Sequence, residues 1–453
     1  MKFTSCDLRV ASWPRVATAL IGTGLFCAAT VRSETFLLTE ATIHTVSGAT
    51  ISRGDVLIQD RKIKGVFDAS QPTRAIYPND TTKIDLKGQH LYPGIIALNT
   101  SLGLIEIGAV RATRDTTEVG EGYTPDVQSW TAINPDSELI PVARGNGVTH
   151  AQPVPQGNVV AGQSGLVALD GWTSEQMTIK KPVALHLYWP QMELDTRSKE
   201  EFQDKSKWKS LEDQAKERQK KLKAFDDYFQ EARAYEKARS AAGKNGVADP
   251  ELNPSWEAMR PFVRGELPLM IHADEIRQIK TAVFWAETNR YKMILAGGRD
   301  AWKVADLLAT NKIPVVYDYV FGLPPRDTDA YDIQFKAPEI LRKAGVTVAF
   351  SVGPGDASLL KNIPYDAAQS VAFGLPESEA LKGMTLYPAQ LAGVADHLGS
   401  IEAGKEATFF VADGDILDIR TNVKRMWIAG KEISLENRHT RLYEKYRNRP
   451  FPK

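Results

Sequence analysis

Cysteine is nearly absent: 453 residues hold two, Cys6 and Cys27, and both precede residue 34. The rest of the chain therefore carries no disulfide framework and no thiolate metal ligands. Charge of one sign is missing as well. Lys plus Arg and Asp plus Glu each number 56, so the formal net charge is zero and no basic stripe argues for nucleic acid. Long hydrophobic runs are scarce too. The uncharged stretch near the start, "VATALIGTGLFCAAT" at 16–30, is short and rich in small residues, too short for a membrane span.

That stretch follows Lys2, Arg9 and Arg15 and precedes "VRS", with Val31 and Ser33 at positions −3 and −1 of a cleavage site. The pattern predicts a secretory signal peptide over 1–33 and a secreted or periplasmic chain with no membrane attachment after processing. An uncleaved anchor, or lipidation at Cys27 behind a bulky Phe26, fits the residues less well. Removing the leader leaves a mildly acidic chain.

Residues 34–91 read as short strands punctuated by Gly, Ser and Asp, with "QDRK" as a hairpin turn. The same texture returns over 399–433. Two β-rich pieces at opposite ends predict one discontinuous β-sandwich with a larger domain, 92–398, between them. In that domain strands such as "LPLMIHA", "KMILA", "IPVVYDY" and "VTVAFSV" alternate with helical segments. This order predicts a parallel (β/α)8 TIM-type barrel.

A charged segment at about 194–243 interrupts the rhythm. Trp208, Leu211, Ala215, Leu222, Phe225, Phe229 and Ala232 recur at three-four spacing, with Arg218 in the one missing position. They predict an amphipathic helical insertion. It either packs back on its own barrel or serves as a lid or dimer contact, which leaves a homo-oligomer open. Residues 434–453 read as a basic C-terminal helix in which His439 is a surface residue.

A parallel barrel places chemistry at the C-terminal ends of its strands. Asn99 and Ser101 close the first, two apart and so expected on one face. His150, His186 and His272 lie on or at the ends of later strands; Gly297 ends another, and Asp356 follows the last. His150, His186 and His272 with Asp356 or Glu106 would make a metal set if they converged. The plainer alternatives are a satisfied buried His186 and an Asp356 that caps a helix.

"LYPGIIALNTSLGL", "GPGDASLLKNIPYDAAQSVAFGLP" and "ALKGMTLYPAQLAGVADHLGSIEAGKEATFFVADGD" resemble the amidohydrolase superfamily, in its imidazolonepropionase-like group. The likeness covers nearly the whole chain after the leader except the insertion. It implies a barrel hydrolase of C–N bonds in small molecules or small peptides that uses a divalent ion, often zinc. It also implies metal ligands from two His on the first strand, one on each of the fifth and sixth, and Asp on the eighth. Only His272 matches. Asn99 and Ser101 replace the first pair, Gly297 stands at the sixth-strand position and Val352 at the eighth. Two readings follow. One is an exported hydrolase with a degenerate metal site, its catalytic groups His272 and His186, its ligand contacts Asn99, Ser101, His150, Gly297 and Asp356, and any metal on His272 and His186. The other is an inactive barrel retained for binding or scaffolding.

Overall fold

The computed structural model describes residues 35–71, 76–79, 81–119, 122–157, 159–243 and 248–450. The expected signal peptide lies outside them. Residues 34–453 make one compact unit, and among the described residues no helix is long and apolar enough to cross a membrane.

Eight strands from the two ends of this unit share one sheet. His90–Pro93 runs parallel to Thr35–Ile43 and antiparallel to Phe409–Ala412, with Tyr92 opposite Phe410. The hairpin Ile51–Gln59/Lys62–Asp68 turns at Asp60 and Arg61, with φ of 53° and 65°. Two left-handed residues give the turn that matches strand twist. Alternation then separates two faces. Leu91, Phe409 and Val411 join Leu38, Ile43, Val56 and Trp427 in the sheet's own core, while Tyr92, Phe410 and Ala412 join the apolar cluster that surrounds the barrel.

The second sheet is the barrel. In order its strands are Ile95–Thr100, Val148–Pro153, Val160–Ala168, Thr178–Tyr188, Leu269–Ala273, Met293–Gly297, Val315–Tyr317 and Val348–Phe350. The sheet is of mixed type, which corrects the all-parallel expectation: the third strand is antiparallel to the second and to the fourth. The cause is chain length. Residues 154–159 are all that join the second strand to the third, whereas a parallel crossover needs about a dozen residues. The ladder stays open between the eighth and first strands. There the Ser351 hydroxyl donates to the Leu98 carbonyl at 2.9 Å and holds the seam.

Ile96, Leu98, Leu166, Ala184, Met270, Ile294, Ala296, Val316 and Ala349 plug the barrel interior. Two residues further along, on the same face of each strand, the plug turns polar: Ala184 leads to His186, Met270 to His272 and then Asp274, Val316 to Asp318, and Ala349 to Ser351.

The insertion is a helix, Leu211–Ala241, with Ser210 as its N-cap. Its buried face packs on the barrel's own side. Phe225 lies against Trp189 and Trp285, with ring centroids 5.1 and 4.8 Å apart, and Phe229 against Tyr291 at 5.6 Å. Trp208 falls before the helix. Arg218, the charged residue within the apolar stripe, donates to the Met192 carbonyl at 2.7 Å. The C-terminal helix, Arg438–Arg447, is capped by Asn437 and anchored by Arg441, which meets both carboxyl oxygens of Glu138 at 2.9 Å.

Candidate active site at the barrel mouth

Asn99 is fully buried and left-handed, with φ 54°. Such a conformation costs a non-glycine residue about 1–2 kcal/mol. The register of the first strand against the second also shifts between Ala97 and Thr100. Together these break the alternation that would have put Asn99 and Ser101 on one face. Asn99 is re-aimed inward: its Nδ2 donates to Asp318 Oδ2 at 3.3 Å and its backbone N–H to Gln152 Oε1 at 3.3 Å. Ser101 is buried with an unpartnered Oγ, as is Asn99 Oδ1.

On the far wall, Gln152 Nε2 donates to Ser164 Oγ at 2.8 Å, and Ser164 Oγ lies 2.7 Å from His186 Nε2. His186 Nδ1 faces His272 Nε2 at 3.0 Å. Tyr188, beside His272 in the ladder, stacks on it at 4.1 Å and 9°. Its hydroxyl is tied to the Pro155 carbonyl at 3.1 Å. Burial pushes the His272 imidazole down to about 3, and burial followed by the His272 neighbour pushes His186 well below its ordinary range. Both rings are neutral.

Two carboxyl groups complete the mouth. Asp318 follows the seventh strand; burial first, then Asp274, then Asp366, raises it to about 8. Asp274, just past the fifth strand, is also raised by burial, against the opposing hydrogen bond from the Tyr319 hydroxyl at 2.9 Å. Asp318 Oδ1 and Asp274 Oδ1 have no partner. Two glycines make room for these acids. A Cβ on Gly353 would come within 2.8 Å of Asp318 Oδ2, and one on Gly297, at φ 87°, would run into Asp274 Oδ1. Where the resemblance led to a sixth-strand histidine, this chain seats an aspartate from the neighbouring strand. His272, Asp274, Asp318, Tyr188, Tyr319 and Val352 each keep part of their surface open to solvent, whereas His150, Gln152, Ser164 and His186 do not.

The structure thus joins Asn99, His186 and His272 in one network and brings Gly297 to its edge. It leaves apart Ser101, whose buried Oγ has no partner, and three further expected residues. His150 bonds through Nδ1 to Thr149 Oγ1 at 3.0 Å, with Nε2 buried and unpartnered. Asp356 is exposed and accepts from Ser358 N at 2.9 Å, as a helix cap does. Glu106 accepts from the Ser137 hydroxyl and the Glu138 N–H. Among the described residues no three His, Cys, Asp or Glu side chains converge to hold a metal ion. As arranged, these donors do not form a metal cage: the two imidazoles are committed to each other. Gln152, Ser164, Tyr188, Asp274 and Asp318 escaped the sequence reading. The signal for the acids was a lone Asp at the open end of an apolar run, in "LMIHAD" and "VVYDY".

Comparison with known proteins settles the likeness. Residues 267–433 match the amidohydrolase family. An amidohydrolase of Thermotoga maritima MSB8 superposes with a TM-score of 0.75 at 27% identity, covering 88% of this chain and 99% of that one. An adenosine deaminase of Xanthomonas campestris with bound zinc shares the fold, with a TM-score of 0.50 at 14% identity over 91% of this chain and 97% of that one. The amidohydrolase tasK of Hapsidospora irregularis is 24% identical over 412 residues, 83% of this chain, which spans 39% of that protein's length. The amidohydrolase-superfamily resemblance is therefore shown, in sequence over 267–433 and in fold over most of the chain.

Proposed function

We propose that this amidohydrolase-like chain is an exported hydrolase of C–N bonds in small molecules or small peptides, working from the mouth acids with the usual metal positions substituted. The observation that carries the reading is Asp318: a desolvated carboxyl raised to about 8, partly open to solvent, held by the Asn99 amide. A group with that pKa exchanges protons near neutral pH, as a general base and acid must. Its carboxylate takes a proton from water as the water oxygen bonds to the substrate carbonyl carbon. The C–N bond then breaks as the same carboxyl returns the proton to the leaving nitrogen, giving an acid and an amine. Asp274, held by the Tyr319 hydroxyl and close enough to raise Asp318 further, is the second carboxyl of the site.

The test is turnover of a panel of N-acyl amino acids, dipeptides and cyclic amides by purified protein. Hydrolysis of at least one class that falls about 100-fold or more in Asp318→Asn supports the reading. A folded protein that turns over none of them overturns it.

A further inference from the structure

The hydrogen bonds at the barrel mouth have a direction, and one backbone group sets it. The Asn99 N–H can only donate, so the Gln152 oxygen 3.3 Å away must accept. The Gln152 amide cannot then be reversed, and its Nε2 must donate to Ser164 Oγ at 2.8 Å. Having accepted there, the fully buried Ser164 hydroxyl has one hydrogen to place. Its acceptor among the described residues is His186 Nε2, at 2.7 Å. His186 accordingly keeps its lone pair on Nε2 and its hydrogen on Nδ1, which points at His272 Nε2, 3.0 Å away. His272 must accept on Nε2 and therefore carries its own hydrogen on Nδ1. That nitrogen makes no hydrogen bond among the described residues and is not one of the fully buried unpartnered atoms, so it meets the open mouth. Tyr188, stacked on the ring and tied to Pro155, fixes the ring plane.

We propose that this relay locks His272 as an Nδ1–H donor facing the barrel mouth, where it receives the carbonyl oxygen of a small amide, with Gln152 and Ser164 as positioning residues. An N–H at that site has no lone pair for a cation. It suits an oxygen that gains negative charge as water adds to the carbonyl. Burial of both imidazoles supports the neutral forms. The mouth then sets a donor at His272 near the Asp318 and Asp274 carboxyl groups, which act on each other. The amide as ligand rests on the hydrolase reading, while the tautomer stands on the hydrogen-bond geometry alone.

The experiment is 15N NMR of the full chain labelled at histidine. The wild type should show His186 and His272 each as a single neutral form, protonated at Nδ1 and bare at Nε2. Ser164→Ala removes the step that imposes direction, so His272 should split into both forms. Acetamide, but not methylammonium, should move the His272 Nδ1 signal in the wild type. A wild-type His272 protonated at Nε2 overturns the relay, and needs no variant to fold. A Ser164→Ala protein that keeps the single form overturns Ser164 as the cause. A His272 signal indifferent to acetamide, or moved equally by methylammonium, overturns the ligand class. Failure of the hydrolase reading would show separately, as absent turnover with the single tautomer intact.

Discussion

Asn99 reaches across the seam of the barrel to Asp318, its amide nitrogen 3.3 Å from the carboxyl oxygen. The contact joins the end of the first strand to the end of the seventh. It requires the left-handed backbone of Asn99, because an extended residue there would keep the strand's alternation and turn the amide elsewhere.

The strain is measurable. Glycine adopts a φ of 54° freely and alanine does not. Asn99→Gly should therefore be more stable than Asn99→Ala by about 1 kcal/mol in urea unfolding. Both should lose activity through the lost amide. Equal stability of the two would mean the position is not strained.

Asp318 should also govern how stability responds to pH. Folded, it holds its proton up to about pH 8; its ordinary value is 3.8. Between those values the folded chain binds more protons than the unfolded one, so stability falls as pH rises. Asp318→Asn removes that dependence. Its stability relative to wild type should grow by about 1–3 kcal/mol from pH 5 to pH 9, followed by thermal or denaturant unfolding. A constant difference would contradict the raised pKa.

Gly297 stands where a histidine would be expected from the resemblance, yet it does not wait for one. Asp274 fills the space a side chain there would need, and the φ of 87° favours glycine. Gly297→His should destabilise the protein by about 2 kcal/mol or more and should not raise zinc affinity on its own. Isothermal calorimetry with zinc and an unfolding curve check both halves.

Much of this was legible in the sequence. Pro-Gly before the apolar run "IIAL", the hairpin at Asp60-Arg61 and the three-four stripe through Phe225 and Phe229 each encode a local preference, and each formed as read. The mixed barrel was not legible, because the second and third strands are both buried and apolar, and their direction depends on the short link between them. Nor was the re-aiming of Asn99, since Asn merely tolerates the left-handed region and nothing nearby announces the shift. Gln152 and Ser164 escaped because their role arises only from the neighbours that the closed sheet supplies. Arg218 looked like a fault in a stripe until the Met192 carbonyl gave it a partner.

The insertion belongs to the barrel's packing. Phe225 is buried between Trp189 and Trp285, so Phe225→Ala should cost about 3–5 kcal/mol. Removing residues 199–240 should expose those tryptophans and shift their fluorescence to the red. A deletion variant as stable as the parent would make the helix a dispensable arm.

The most direct measurement of the central claim is the pH dependence of kcat/KM on an amide substrate that the protein turns over, for the wild type and Asp318→Asn. A general base at Asp318 predicts a rate that rises with pH and levels off past an apparent pKa of about 8, and an Asp318→Asn variant at least ~100-fold slower without that rise. A variant with wild-type rates and the same profile would contradict the account.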